Sequence, residues 1–418
     1  IDLPCNPEMK KENCLPVTKR IKTALVALSL VLVTLAVVSG LALLSMNRSV
    51  SLESSPESLD ELVSSWSNLD PIPGTILHIE EKGRLIYSGA SGHRRRDVGN
   101  SLEATDPFHI ASIGKLFTSA VILRLHERGH LDLDAPMSRY LKPSITKDLL
   151  VIDGRDYTGR ITVRHLLTHR SGLGNTDDNL AFTLTLLLRP GKVWKPDELI
   201  ALARNLDPAG KPGEITSYSS PGYFLLGKVI ENVTGQPYHQ VVRREIFERL
   251  GMKNTFDSVH EWKEQAPVLH HYAGWFDMTG HHPSFEFADG GFVSTAPDLA
   301  IFGRAMISGG LFEDPRTARL YLSAPPGVEE GAFYQGHGPW ISRPKGQPEQ
   351  VFHAGYWGCY LVAVPETGQV AVMAMGQSTA DTWRFWSQAR ELVNRQSTFV
   401  APQSAVPRGA ISPLECLQ

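Results

Sequence analysis

A chain of 418 residues, 42% apolar and 20% charged, is long enough for one large domain or two smaller ones and can bury a sizeable core. Its 41 Lys and Arg against 44 Asp and Glu leave a formal charge of -3, which gives no basic field for a phosphate backbone and excludes nucleic acid as a partner. The four cysteines form no disulfide framework or CxxC metal pattern; Cys359 reads as a buried strand thiol and Cys416 as a tail cysteine, with a bridge between them as the alternative.

Residues 1–22 carry Lys10, Lys11, Lys19, Arg20 and Lys22, and the stretch that follows, 23–46, holds no charged residue and is long enough to span a hydrocarbon core as one helix. Only Arg48 follows closely, so the positive-inside rule puts residues 1–22 in the cytoplasm and the rest of the chain outside, in a periplasm or extracellular space. The expectation is a single-pass signal-anchor. Cleavage near the small residues Val38–Gly40, giving a secreted protein, is the alternative. Residues 47–66, polar and Ser/Glu-rich through Asp60, read as a linker, 67–396 as the folded domain, and 397–418 as a tail without periodicity.

Within the domain, Thr75–Ile79 and Arg84–Ser88 flank the charged turn Glu80-Glu81-Lys82-Gly83 and predict an antiparallel hairpin at a sheet edge. Arg94-Arg95-Arg96 reads as a solvated turn. A helix is predicted from Ser112 to about Gly129, with Leu116, Phe117, Ala120, Val121 and Leu123 on its apolar face. A second is predicted over Tyr223–Val233, stopped by Gly235. Late strands follow at Gln350–Phe352, Tyr360–Val364 and Val370–Met375, the last two split by the turn Pro365–Gly368. Strands at both ends with helices between them predict an α+β domain whose antiparallel sheet joins the two ends of the chain.

Ser-x-x-Lys places a hydroxyl and an amine one helical turn apart on one face, where a neutral lysine can take the serine's proton. The pattern occurs at Ser112/Lys115, Ser144/Lys147 and Ser342/Lys345. Only Ser112 opens an apolar helix, whose unpaired N–H groups can steady an oxyanion; Pro143 and Pro344 mark the other two as loops. Ser112-Ile113-Gly114-Lys115 is followed by Tyr218-Ser219-Ser220 and then by His353-Ala354-Gly355.

This ordered triplet resembles the motifs of the serine β-lactamase and penicillin-binding-protein superfamily, in the branch holding class C β-lactamases, D-alanyl-D-alanine carboxypeptidases and family VIII carboxylesterases. Connecting stretches agree, among them Ile161–His169, Tyr223–Gly227 and Gly290–Thr295. The resemblance implies a β-lactamase/transpeptidase-like fold, an antiparallel sheet flanked by helices with a mostly helical subdomain, and no cofactor or metal. It implies that Ser112 forms an acyl-enzyme, that Lys115 deprotonates it, and that Tyr218 relays a proton to the leaving group. Backbone N–H groups of Ser112 and Tyr356 would form the oxyanion hole, with Ser220, His353 and Gly355 at the substrate. A lysine acting as base must be neutral, so burial or a nearby cation is expected to lower its pKa.

Two positions depart from the pattern. Ser220 stands where Asn is common, and His353, only partly charged near neutrality, stands where β-lactamases carry Lys. The expected activity is therefore hydrolysis of an ester or peptide-type amide. A class C-like β-lactamase and a noncatalytic penicillin-binding sensor or scaffold are the alternatives; expected partners are a small ester, peptide or β-lactam and the membrane. Tyr356 and Trp357 are expected at the pocket mouth. His165 and His169 read as packing residues, and the pairs His270-His271 and His281-His282 as surface loops without metal-ligand spacing.

Overall fold

The computed structural model describes residues 56–262, 267–323 and 333–399. Its frame is one antiparallel sheet. Strands β1 (Gly74–Glu81) and β2 (Arg84–Gly92) form the predicted hairpin; β3 (Phe333–Gln335), β4 (Trp340–Ser342), β5 (Gln350–Gly355), β6 (Cys359–Val364) and β7 (Gln369–Ala374) follow after a long helical excursion. Among the described residues the sheet order is β3-β4-β5-β6-β7-β1-β2, with β2 at the edge as expected. The last strand therefore pairs with the first, Ile76 opposite Ala374.

Period-two alternation buries both faces. On β6, Leu361 and Ala363 point into one core while Tyr360, Val362 and Val364 point into the other; on β7, Val370 and Val372 oppose Ala371 and Met373. The first core lies under helices α2 (Gly114–Glu127), α3 (Ser220–Thr234) and α4 (Ala296–Ser308). Helix α2 is buried on all sides along most of its length, the condition under which its Arg124 must be paired. It donates to Glu245 at 3.0 Å and to the Leu311 carbonyl at 2.7 Å.

The second core is closed by α1 (Leu59–Ser67) and α5 (Thr382–Phe399). This corrects the linker expected over 47–66: from Leu59 the chain is helical, capped by Ser58, and it buries Leu59, Leu62, Val63 and Trp66 on the sheet. Trp66 meets Phe385 edge-on at 5.3 Å and donates from Nε1 to Gln388 at 3.0 Å. Only four apolar residues mark that stripe, and the polar run before it hid them. The remaining expected linker, residues 47–55, and the tail from 400 lie outside the described residues. So does the span expected at 23–46; among the described residues no helix is long and apolar enough to cross a membrane.

Smaller corrections follow from packing. Pro143 starts a single helical turn, Pro143–Thr146, and Ser342 ends β4, so neither spare Ser-x-x-Lys copy is simply loop, and neither presents the pair on a buried helix. Of the three arginines expected in solvent, Arg94 forms a bidentate pair with Asp106, and Arg96 lies 3.7 Å from the Tyr272 ring centroid. His271 is buried, 4.2 Å from the ring of Trp357 and 4.7 Å from that of His109, rather than on the surface. Cys359 is a buried free thiol on β6; Cys416 lies outside the described residues.

Candidate active site

Ser112 sits in a 3-10 turn, Ala111–Ile113, that runs directly into α2. The turn is held in an uncommon conformation: Ala111 has φ 44°, in the left-handed region that costs a residue with a side chain. Three neighbours hold it. Cys359 donates its thiol to the Ile110 carbonyl at 3.1 Å. Gly355 on β5 approaches so closely that a Cβ there would lie 2.4 Å from the Ile110 oxygen and 2.3 Å from Cys359 Sγ. Gly290 packs against Ala111, where a Cβ would stand 2.7 Å from its carbonyl carbon. Gly355 thus acts through the fit of strand to turn. Neither Ser112 nor Tyr356 donates its main-chain N–H to a carbonyl among the described residues, which leaves both for an oxyanion.

The structure brings the first and second motifs together. Lys115 Nζ donates to Ser112 Oγ at 3.1 Å, and the Tyr218 hydroxyl donates to the same oxygen at 2.8 Å. Lys115 Nζ also lies 4.8 Å from the Tyr218 ring centroid. Sequence reasoning missed the group behind the lysine: Asp289 accepts from Nζ through Oδ2 at 3.0 Å and through its carbonyl at 3.3 Å. Lys115 is fully buried, which disfavours its charge, yet the Asp289 carboxylate and the Tyr218 phenol outweigh burial and raise its pKa above the ordinary lysine value. The expected neutral lysine is thus corrected to a charged one in an ion pair. Burial raises the Tyr218 pKa, opposed by the Lys115 charge, so the resting tyrosine is a phenol.

His169, expected to be a packing residue, packs against the machinery itself. Its ring lies 4.4 Å from that of Tyr218, and its Nδ1 accepts the Ser219 N–H at 3.1 Å, which puts its proton on Nε2. Burial, with Lys115 nearby, holds it well below the usual histidine pKa and therefore neutral. Ser220 departs from its expected role. It is buried in the first turn of α3, and Asn175 accepts its main-chain N–H at 3.2 Å, so an amide from a separate loop stands beside the second motif. His353 is likewise buried; burial first and Lys115 second push its pKa down to about 3, and its Nδ1–H meets the Ala354 carbonyl at 2.8 Å. The partial charge expected there is corrected to none. Tyr356 is half-exposed at the mouth as expected, whereas Trp357 is buried in the wall.

Two hollows flank this centre. One, of about 380 Å³, is lined by Ser112, Asp177, Glu286, Asp289, Tyr356 and Trp357, with apolar walls from Phe182, Leu186, Leu187, Met278 and Phe285. The other, of about 490 Å³, is lined by Tyr218 and His353 and by the aromatic rings of Trp340, Phe352, Tyr360 and Trp383.

The architecture has many relatives. Esterase EstB of Burkholderia gladioli is 31% identical over 189 residues, 43% of this chain and 46% of its own. Penicillin-binding protein 4 of Amycolatopsis lactamdurans is 24% identical over 373 residues, 82% of this chain and 91% of its own. The first curated relatives are matched over about half of their length, 46% and 60% for two of them. Among solved structures, D-amino acid amidase from Ochrobactrum anthropi superposes with a TM-score of 0.68 at 23% identity, covering 80% of this chain and 97% of its own; at that identity the likeness is one of fold. The octameric penicillin-binding protein homologue from Pyrococcus abyssi gives 0.65 at 26% identity over 78% and 74% of the two chains. The Beta-lactamase family model matches residues 67–393, nearly the whole folded domain, and the chain belongs to that family.

Proposed function

We propose that this protein is a serine hydrolase that cleaves an ester or peptide-type amide through a Ser112 acyl-enzyme. The observation that carries this reading is the convergence of Lys115 Nζ and the Tyr218 hydroxyl on Ser112 Oγ. A charged lysine cannot accept the serine's proton directly. The proton passes from Ser112 to Lys115 as Lys115 passes one to Asp289 Oδ2, while Ser112 Oγ bonds to the substrate carbonyl carbon and the carbonyl oxygen takes the Ser112 and Tyr356 N–H groups. Tyr218 then gives its proton to the departing alkoxide or amine and regains one from Lys115, and Asp289 returns its proton to the lysine. Deacylation by water repeats these steps in reverse.

The two hollows divide the substrate. The aromatic one contains Tyr218, the proton donor, and receives an apolar leaving group; the one containing Ser112 but not Tyr218 receives the acyl group. The neutral His353 offers no permanent cation for a β-lactam carboxylate, which favours esterase or amidase chemistry over a β-lactamase. A membrane-tethered, extracytoplasmic domain is part of the proposal, supported by the charge-free stretch 23–46 and the Lys/Arg residues before it. The test is intact-mass spectrometry of the full chain mixed with p-nitrophenyl butyrate, a penicillin and a D-Ala-D-Ala peptide. Release of p-nitrophenol with a transient adduct on Ser112 is expected; turnover that survives Ser112→Ala would overturn the reading.

A further inference from the structure

Four carboxyl groups, Asp177, Asp178, Glu286 and Asp289, line the hollow beside Ser112, and Lys115 forms an ion pair with one of them, Asp289. Asp289 uses that lysine. Glu286 is 7% exposed; one oxygen accepts the Trp357 Nε1–H at 2.9 Å, and the other, Oε2, is buried with no hydrogen-bond partner. A buried carboxylate oxygen without a donor is strongly disfavoured unless it is protonated or meets a cation. Burial first, then the Asp289 carboxylate, raises the Glu286 pKa to about 8, against the Trp357 hydrogen bond and Lys115, so near neutrality protonation relieves that cost. Asp177 lies on the solvent-exposed rim of the same hollow. The groups facing Glu286 from the packed elements are Lys115 on α2, Asp177 and Asp178 on the turn Thr176–Asp178, Asp289 on its own segment, and Tyr356 and Trp357 between β5 and β6. His271 behind Trp357 is held neutral by burial and supplies no charge.

We propose that this hollow is a subsite for a protonated amine carried on an apolar acyl group, with Glu286 and Asp177 as its counter-ions. The inference rests on the assignment of the Ser112 hollow to the acyl side. An organic ammonium fits better than a metal ion, because Phe182, Leu186, Leu187, Met278 and Phe285 cover an apolar body, whereas among the described residues no three His, Cys, Asp or Glu side chains are grouped closely enough to hold a metal. The volume of about 380 Å³ suits a small arylalkyl group. The substrates implied are esters or amides of amino acids with a free amino group and a bulky apolar side chain.

The test is calorimetric titration of the full chain with 2-phenylethylammonium and with its neutral isostere 2-phenylethanol, in wild type and Glu286→Gln. Wild type is expected to bind the amine at least tenfold more tightly than the alcohol at pH 7.5, with protons released as Glu286 ionises. In Glu286→Gln the preference should fall below threefold and the proton release should vanish. Equal affinities in wild type, or a preference untouched by Glu286→Gln, would overturn the proposal. If Glu286→Gln fails to fold, Asp177→Asn takes its place, and a wild-type preference that Asp177→Asn leaves untouched would likewise overturn the proposal. Hydrolysis of p-nitrophenyl butyrate, assayed in parallel, separates the two ideas. Amine selectivity without turnover sinks the hydrolase and leaves the subsite standing, and turnover without selectivity does the reverse.

Discussion

Replacing Asp289 by Asn removes the carboxylate that holds Lys115 charged while keeping the shape of the side chain. The lysine side chain is fully buried and that of Asp289 is 13% exposed, so solvent screens the pair little. Removing one partner of such a pair costs about 3–5 kcal/mol if the other stays ionised. At about 1.36 kcal/mol per pKa unit, the lysine can relieve that cost by a fall of at most roughly two to four units. Asp177 still acts on Lys115, so the fall is expected nearer the lower figure. The sign follows from the raised pKa in the native wild type. The pair's contribution to stability is fully present below the unfolded lysine value of about 10.4 and is lost as pH rises through the higher folded value. In Asp289→Asn the lysine is still mostly protonated at pH 7 but has lost its acceptor, so kcat/KM for p-nitrophenyl butyrate should drop at least tenfold. A fall of that size from a value raised above about 10.4 leaves the variant's lysine mostly protonated through about pH 9, so the deficit should persist across about pH 6–9. A variant as active as wild type over that range would refute the relay through Asp289.

Ser112→Ala should lower kcat by at least a thousandfold, with the thermal midpoint within a degree or two of wild type, as read by ester hydrolysis and a melting curve. Gly355→Ala forces a Cβ into the Ile110 carbonyl and the Cys359 sulfur and should cost about 1–3 kcal/mol of stability. It should also cut kcat by about a hundredfold through displacement of the nucleophile turn, whereas Gly280→Ala, with nothing within 4 Å, serves as the control. Trp66→Ala should cost about 3–5 kcal/mol in denaturant unfolding, because the ring is fully buried against Phe385; a linker residue would cost almost nothing.

Ser112, Lys115 and Tyr218, which the structure brings together, were legible because the roles proposed for them require fixed residue types in a recognisable order, and the sheet was legible because both of its ends hold short apolar, β-rich runs split by turn residues. Asp289 and Glu286 were not. Each is an ordinary acidic residue in a short turn, brought to the lysine and the hollow by Gly290 packing on Ala111, a contact with no local signal. The charge states of Lys115 and His353 were misjudged for the same reason: a pKa depends on which carboxylate faces the group and how dry the site is, and the tertiary fold decides both. His169 was read as packing because a lone histidine usually is, and packing is what it does, with Tyr218 as its partner. Helix α1 escaped because its apolar stripe of Leu59, Leu62, Val63 and Trp66 starts inside a polar run.

The pairing of β1 with β7 joins residues almost 300 positions apart, Ile76 with Ala374. During synthesis the first hairpin leaves the ribosome early and must wait with an unpaired edge until nearly the whole domain has followed. Contacts this distant in sequence close slowly, and an open strand edge is where neighbouring chains attach. Ser112 also emerges long before His353, Gly355 and Tyr356, so under the proposed mechanism a nascent chain carries the nucleophile before the second half of its oxyanion hole. Catalytic competence in this topology is therefore expected only once translation has run to the end of the sheet, because until Gln369–Ala374 pairs with both the first hairpin and Cys359–Val364 the two ends of the domain stay apart.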